Sequence, residues 1–281
     1  MKLISFSVDG YNSFGVISES KVFDLGKHSK FSSLKEFFTS GSLDLAKKLI
    51  ESNQFDYEYS DIKLDVPFPE LSNYYCVGKN YKGHLAEANI KLPDYPSTFI
   101  RTKNSIVADK ENLICPFVSK EFDYEGELAV IIGKEGRHIK EKDAWAHVAG
   151  YSIFMDGSIR DYQLKQSLNA GKNFNATGSF GPWIITSDEI KDPTQLVLTT
   201  KLNGIEVQHS STGDLIFDIP FIISYFSKIF PLKTGDVIAT GTPEGVGFTR
   251  VPPLWMKLGD KLEVEISNIG VLTNTVISER I

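Results

Sequence analysis

Apolar residues along this chain gather in short runs separated by Gly, Pro and Asp. Leu3–Val8, Gly15–Ser18 and Val22–Leu25 are three such runs, and Asp9-Gly10 between the first two is a tight-turn signal, so the opening reads as strands. Phe31–Phe38 and Leu43–Ile50 carry their apolar residues at helical spacing instead. Val66-Pro67-Phe68-Pro69 then stiffens the chain into an extended connector. Residues 1–70 read as a small N-terminal module of strands and helices.

Residues 71–281 read as a second, mostly β unit. Tyr74–Val77, Glu127–Ile132, Ala149–Phe154, Trp183–Thr186 and Leu196–Leu202 are strand-length apolar runs. Asn203-Gly204 joins the last of these to Ile205–Val207, a strong hairpin signal. Leu215–Phe230 has the spacing of a helix, the main one of this half. Val237–Ala239, Leu262–Ile266 and Gly270–Val276 complete the strands. Many short strands, Gly and Pro turns and few helices predict a mainly β fold of the α+β class, a roll or barrel rather than a doubly wound sheet.

Composition narrows the function. The 281 residues carry 30 Lys+Arg against 36 Asp+Glu, a net charge of −6, with 41% hydrophobic residues, as in an ordinary globular chain. The acidic balance argues against nucleic acid as partner, since phosphate binding needs a basic face. No apolar run is long enough to span a membrane, and the first residues lack a signal-peptide pattern. Two cysteines, Cys76 and Cys115, cannot make a disulfide framework, so a cytoplasmic setting is expected.

The candidate chemistry is acidic. Glu125 and Glu127 stand two apart at the mouth of an apolar strand, so both point to one face. Alone they are better explained by the solvent face of an edge strand. Paired around a cation, they are hard oxygen donors suited to Mg²⁺, Mn²⁺ or Ca²⁺ rather than zinc. Asp156, ending the apolar run from Gly150, adds a third carboxylate, although Asp before Gly157 also suits a plain turn. Arg160 and Lys172 follow as nearby cations. His84 and Glu87 are three apart, a spacing that lets a carboxylate orient an imidazole, and one that a solvated helix face also produces. Thr240-Gly241-Thr242-Pro243 offers backbone N–H groups and hydroxyls to an anion, but is neither a phosphate loop nor a dinucleotide fingerprint. His28, His138, His147 and His209 lack metal-ligand spacing.

Taken together and in order, His84-x-x-Glu87 beside Val77-Gly78-Lys79-Asn80-Tyr81, Tyr124-Glu125-Gly126-Glu127-Leu128-Ala129-Val130, Asp156-Gly157-Ser158-Ile159-Arg160-Asp161-Tyr162-Gln163, Gly171-Lys172-Asn173-Phe174, Gly181-Pro182-Trp183 and Thr240-Gly241-Thr242-Pro243 resemble the fumarylacetoacetate hydrolase superfamily, in its acylpyruvate hydrolase and dienoate isomerase branch. The resemblance implies a mixed β-sandwich roll with a small N-terminal domain, a homodimer, and a Mg²⁺ or Mn²⁺ site held by Glu125, Glu127 and Asp156. It implies Lys172, His84 and Glu87 as catalytic groups, the last two on a lid, and Arg160, Gln163, Thr242 and Arg101 at the substrate. Met155, Ile159, Lys79 and Lys82 depart from the family's usual residues. The implied substrate is a small 2-oxo acid. Cleavage of a C–C bond in an acylpyruvate through a metal-stabilised pyruvate enolate is the favoured expectation, because only hydrolysis needs a water activated by His84 and Glu87. Oxaloacetate-type decarboxylation and isomerisation use the same enolate and stay open, as does a non-catalytic metal- or ligand-binding β protein. Tyr81, Tyr95, Tyr162 and Leu254 are candidate walls of the pocket.

Overall fold

The computed structural model describes residues 1–41, 43–52, 54–71 and 73–280. It opens with β1 (Lys2–Val8), β2 (Tyr11–Ser18) and β3 (Lys21–Asp24), then α1 (Leu34–Thr39) and α2 (Leu43–Ser52). Asp9 and Gly10 both take positive φ, 49° and 83°, the turn geometry that matches strand twist. Helix α1 begins later than its apolar spacing predicts, because the Ser33 hydroxyl caps it by accepting from the Glu36 N–H.

The second part runs β4 (Asn73–Gly78), α3 (Lys82–Glu87), β5 (Ser97–Thr102), β6 (Asn112–Cys115), β7 (Gly126–Ile132) and β8 (Val148–Met155). Two short helices, α4 (Arg160–Lys165) and α5 (Leu168–Lys172), lead to β9 (Gly178–Thr186) and the hairpin β10 (Val197–Leu202) and β11 (Ile205–Ser211). Then come α6 (Ile219–Ile229), β12 (Val237–Ala239), β13 (Lys261–Ile266) and β14 (Gly270–Ser278). The expected helix from Leu215 starts instead at Ile219. Asp218 caps it by accepting from the Phe221 N–H, Pro220 occupies its first turn, and Leu215 is bridged to Tyr81.

A twelve-stranded sheet contains the order β3-β2-β1-β9-β8-β7-β12-β4-β5, and a five-stranded sheet runs β11-β10-β13-β14-β6. Most pairings are antiparallel, but β12 on β4 and β14 on β6 are parallel, so both sheets are mixed. The leading residues are joined to the rest through β1, which pairs with β9 at Lys2↔Ile185 and Leu3↔Ile184.

Strand β7 is buried at every position, which explains its unbroken apolar run. Leu128, Val130 and Ile132 face the smaller sheet and α6, packing with Leu198, Val264 and Ile223. Ala129 and Ile131 face the other way, with Phe154, Phe180 and the α1 residues Phe37 and Phe38. Two cores thus sandwich the central strands. Among the described residues no helix is long and apolar enough to cross a membrane.

Candidate active site

Strand alternation places the acids. Glu127 pairs with Phe154 across β7 and β8, on the face shared by Ala129 and Ile131. Glu125 and Asp156 keep that phase just beyond the strand ends, where the Asp156 N–H donates to the Glu125 carbonyl at 2.9 Å. Oxygens of Glu125, Glu127 and Asp156 lie within 4.8 Å of one another, and all three residues are buried. The solvent-face alternative for the two glutamates is therefore removed.

Cations interleave with these acids. Lys172, at the end of α5, brings its ammonium to 2.6 Å from Glu125 Oε2 and 2.5 Å from Asp156 Oδ2. Arg160 ion-pairs with Glu125 at 2.6 Å, donates from Nε to Asp123 at 2.8 Å and from Nη1 to Gln163 Oε1 at 2.8 Å. Phe99 and Phe248 present ring faces to Lys172 and Arg160, at 5.3 and 4.3 Å. Asp123 also accepts from the Gly247 and Phe248 N–H groups, tying that loop to Arg160. It continues the two-residue alternation of Glu125 and Glu127, a signal the sequence reading left unused.

Arg101 sits elsewhere than expected. It is 0% exposed and absent from the cavity lining. Its Nη1 donates to Asp156 Oδ1 at 2.7 Å and to the Gly157 carbonyl at 2.8 Å, while Nη2 reaches Thr177 and Ser105. The guanidinium lies against Gly178, where a Cβ would stand 2.7 Å from Cζ. Arg101 thus braces Asp156 through fully buried contacts.

A cavity of about 220 Å³ opens onto the acids, lined by Glu125, Glu127, Arg160, Gln163, Lys172, Thr242 and His84 among others. Thr242 has its hydroxyl engaged, donating to the Gly126 carbonyl at 3.0 Å and accepting from Gln208 at 2.9 Å. The apolar walls are Phe99, Phe248, Ile90, Leu164 and Leu168. None of the four side chains expected there lines it: Tyr81 is buried, Tyr95 is exposed, and Tyr162 and Leu254 pack on the core.

His84 and Glu87 meet on the six-residue α3, with Nδ1 and Oε1 2.8 Å apart. Glu87 Oε2 accepts from the Gly245 N–H at 2.9 Å and the Thr249 hydroxyl at 3.1 Å. Burial works to raise the Glu87 pKa, but these partners outweigh it and hold the carboxyl below its usual range. A hydrogen bond from Nδ1–H to an ionised Glu87 would orient the ring and leave Nε2 as its free nitrogen.

The two glutamates differ in charge balance. Glu125 is held down to about 2, as Lys172 and Arg160 overcome its burial. Glu127 is pushed far up by burial and by the charges of Asp156 and Glu125. Its hydrogen bond comes from the Gly241 N–H at 2.8 Å, and no cation pairs with it among the described residues. Gly241 has φ 106°, and a Cβ there would meet Asn80 at 2.7 Å, so only glycine presents that N–H. Three hard oxygen donors, one of them without a cation partner, fit a divalent cation of the Mg²⁺ or Mn²⁺ type.

Comparison with known proteins agrees with this geometry. The family model for the fumarylacetoacetate (FAA) hydrolase C-terminal region matches residues 73–277. The mitochondrial oxaloacetate tautomerase fahd2 of Xenopus laevis is 39% identical over 249 residues, 87% of this chain and 78% of its own. A fumarylacetoacetate hydrolase from Exiguobacterium antarcticum superposes with a TM-score of 0.85 at 32% identity, over 99% of this chain and 100% of the other. A 2-hydroxyhepta-2,4-diene-1,7-dioate isomerase from Mycobacterium marinum does so with a TM-score of 0.79 at 27% identity, over 99% of each chain. The matched span holds the three converging acids, Lys172 and the His84–Glu87 pair, and the chain belongs to the fumarylacetoacetate hydrolase family.

Proposed function

We propose that this protein is an enzyme that forms the enolate of a short 2-oxo acid, and that its main reaction is keto–enol tautomerisation of an oxaloacetate-type acid. The observation that carries the enolate chemistry is the convergence of Glu125, Glu127 and Asp156 with Lys172 at one end of a small cavity. The tautomerase reading is supported by the likeness to the Xenopus laevis enzyme. A divalent cation held by the three acids would act as a Lewis acid toward negative charge on the substrate oxygens.

The chain's own residues supply the rest. Lys172 keeps a positive charge beside those oxygens, and its pKa stays raised because Asp156 and Glu125 outweigh its burial. Arg160 and Gln163 line the same wall and orient the acid. His84, with Nδ1 held on Glu87, takes a proton from C3 through Nε2 and delivers it to the C2 oxygen, and runs the reverse transfer when the enol is the substrate.

A second reading is cleavage of the C3–C4 bond of an acylpyruvate. It is favoured by the Glu87–His84 pair, which would activate water as readily as it moves a C3 proton. Purified protein with Mg²⁺ or Mn²⁺ separates the two: loss of the oxaloacetate enol absorbance is the expected fast reaction. Cleavage of an acylpyruvate with no effect on the enol would favour the second reading. Neither reaction, with either metal, overturns enolate chemistry here.

A further inference from the structure

Three cations line the cavity, and two are committed to the protein. Lys172 is bound to Glu125 and Asp156, and Arg160 to Asp123, Glu125 and Gln163. The third is Lys79. No ion pair or hydrogen bond of its ammonium is found among the described residues, and the residue is exposed. Its backbone is left-handed, with φ 59°, a conformation glycine would take without strain. Strain of this kind in a cavity wall is a pointer to function.

Its position fits. Lys79 follows the last residue of β4, and its neighbour Asn80 packs on Gly241, whose N–H holds Glu127. Lys79 is therefore an exposed residue of the wall of the cavity that also holds Glu125 and Glu127. A 2-oxo acid with its keto-acid end at Glu125, Glu127 and Asp156 would direct its far end along the cavity. A far carboxylate there would gain the one uncommitted positive charge among the described lining residues. A neutral acyl group would leave Lys79 without a partner.

We propose that Lys79 is a specificity residue that binds the distal carboxylate of a dicarboxylic 2-oxo acid. The proposal rests on the oxaloacetate-type reading above and adds the residue that recognises the second carboxylate. The assay is calorimetric titration of wild type, Lys79→Met and Lys79→Arg with oxaloacetate and with pyruvate, each in Mg²⁺. Pyruvate shares the keto-acid end and lacks the second carboxylate. A charge-assisted contact predicts that the oxaloacetate-to-pyruvate affinity ratio falls about 10- to 100-fold in Lys79→Met and recovers in Lys79→Arg. The wild-type preference also weakens as salt is raised, because the contact is at the solvent edge. A ratio unchanged in Lys79→Met overturns the role of Lys79 and leaves the 2-oxo acid site standing, since wild type still binds both acids. Wild type that binds neither acid overturns the reading beneath it, and the proposal falls too.

Discussion

Replacing Arg101 by methionine removes a buried cation while its partners stay in place. Asp156 Oδ1 and the Gly157 carbonyl lose charge-assisted donors at 2.7 and 2.8 Å, and Thr177 loses one at 2.9 Å. Lys172 still pairs with the other Asp156 oxygen, so the acid is left half-held. Breaking a buried pair in this way costs about 3–5 kcal/mol. For a chain of this size that corresponds to a melting temperature lower by roughly 6–20 °C. Thermal melting and steady-state kinetics on the same preparations are the assay. The expected result is a large fall in melting temperature and a lower kcat, with little change in KM. Arg101→Lys keeps the charge but not the fork of contacts, and falls between. A variant that melts within about 2 °C of wild type and only raises KM would refute this, and would return Arg101 to the substrate.

Glu87→Gln should slow tautomerisation and acylpyruvate cleavage by ~10²-fold or more while sparing CO₂ release from oxaloacetate, and equal losses in all three would contradict the role of His84. Saturating Mn²⁺ should raise the melting temperature, by about 2.7 kcal/mol of stabilisation at a hundred times Kd. Glu127→Gln should abolish that rise yet melt above metal-free wild type, because a buried amide replaces an acid whose charged form burial and its acidic neighbours disfavour; calorimetry with and without chelator decides. Asp109 accepts from the Thr273 N–H at 2.8 Å, but burial raises its pKa above the ordinary value. Its charged form is therefore a cost that is absent below the unfolded pKa and grows as pH rises through the folded one. Urea titrations should find Asp109→Asn more stable than wild type at pH ~7, with the gap closing near pH ~3, and a gap that widens toward acid would reverse the sign. Gly178→Ala should lower the melting temperature nearly as much as Arg101→Met, since its methyl would occupy guanidinium space.

What the sequence disclosed about the site follows from local geometry. A spacing of two on a strand is enough to align Glu125 with Glu127, and an acid at the end of the next strand is enough to bring Asp156 near them. Asp9-Gly10 and Asn203-Gly204 carry their turns in their own dihedral preferences, and both are turns in the fold. Arg101 is different. It is 55 residues from Asp156, and whether a cation stands before or behind a carboxylate depends on the β4–β5 pairing that turns its side chain inward. Strand β5, Ser-Thr-Phe-Ile-Arg-Thr, has four polar residues of six, Thr98 and Thr102 on the outer face and Ser97 and Arg101 on the inner one, so it lacks the apolar run that marks β7. The capping of α6 by Asp218, with Pro220 after it, was readable from residue types alone, and apolar spacing hid it.

The acids and the acid–base pair rest on foundations of unequal stiffness. Glu127 belongs to a strand hydrogen-bonded on both sides and buried on both faces. His84 rides on one and a half turns of helix whose Glu87 is fastened to the Gly245–Thr249 loop. Tolerance to change should divide along that line. Alterations at Ile90, Leu164 or Phe248 can reshape which acids are admitted, whereas any adjustment to the carboxylate end must be accommodated by the whole interior.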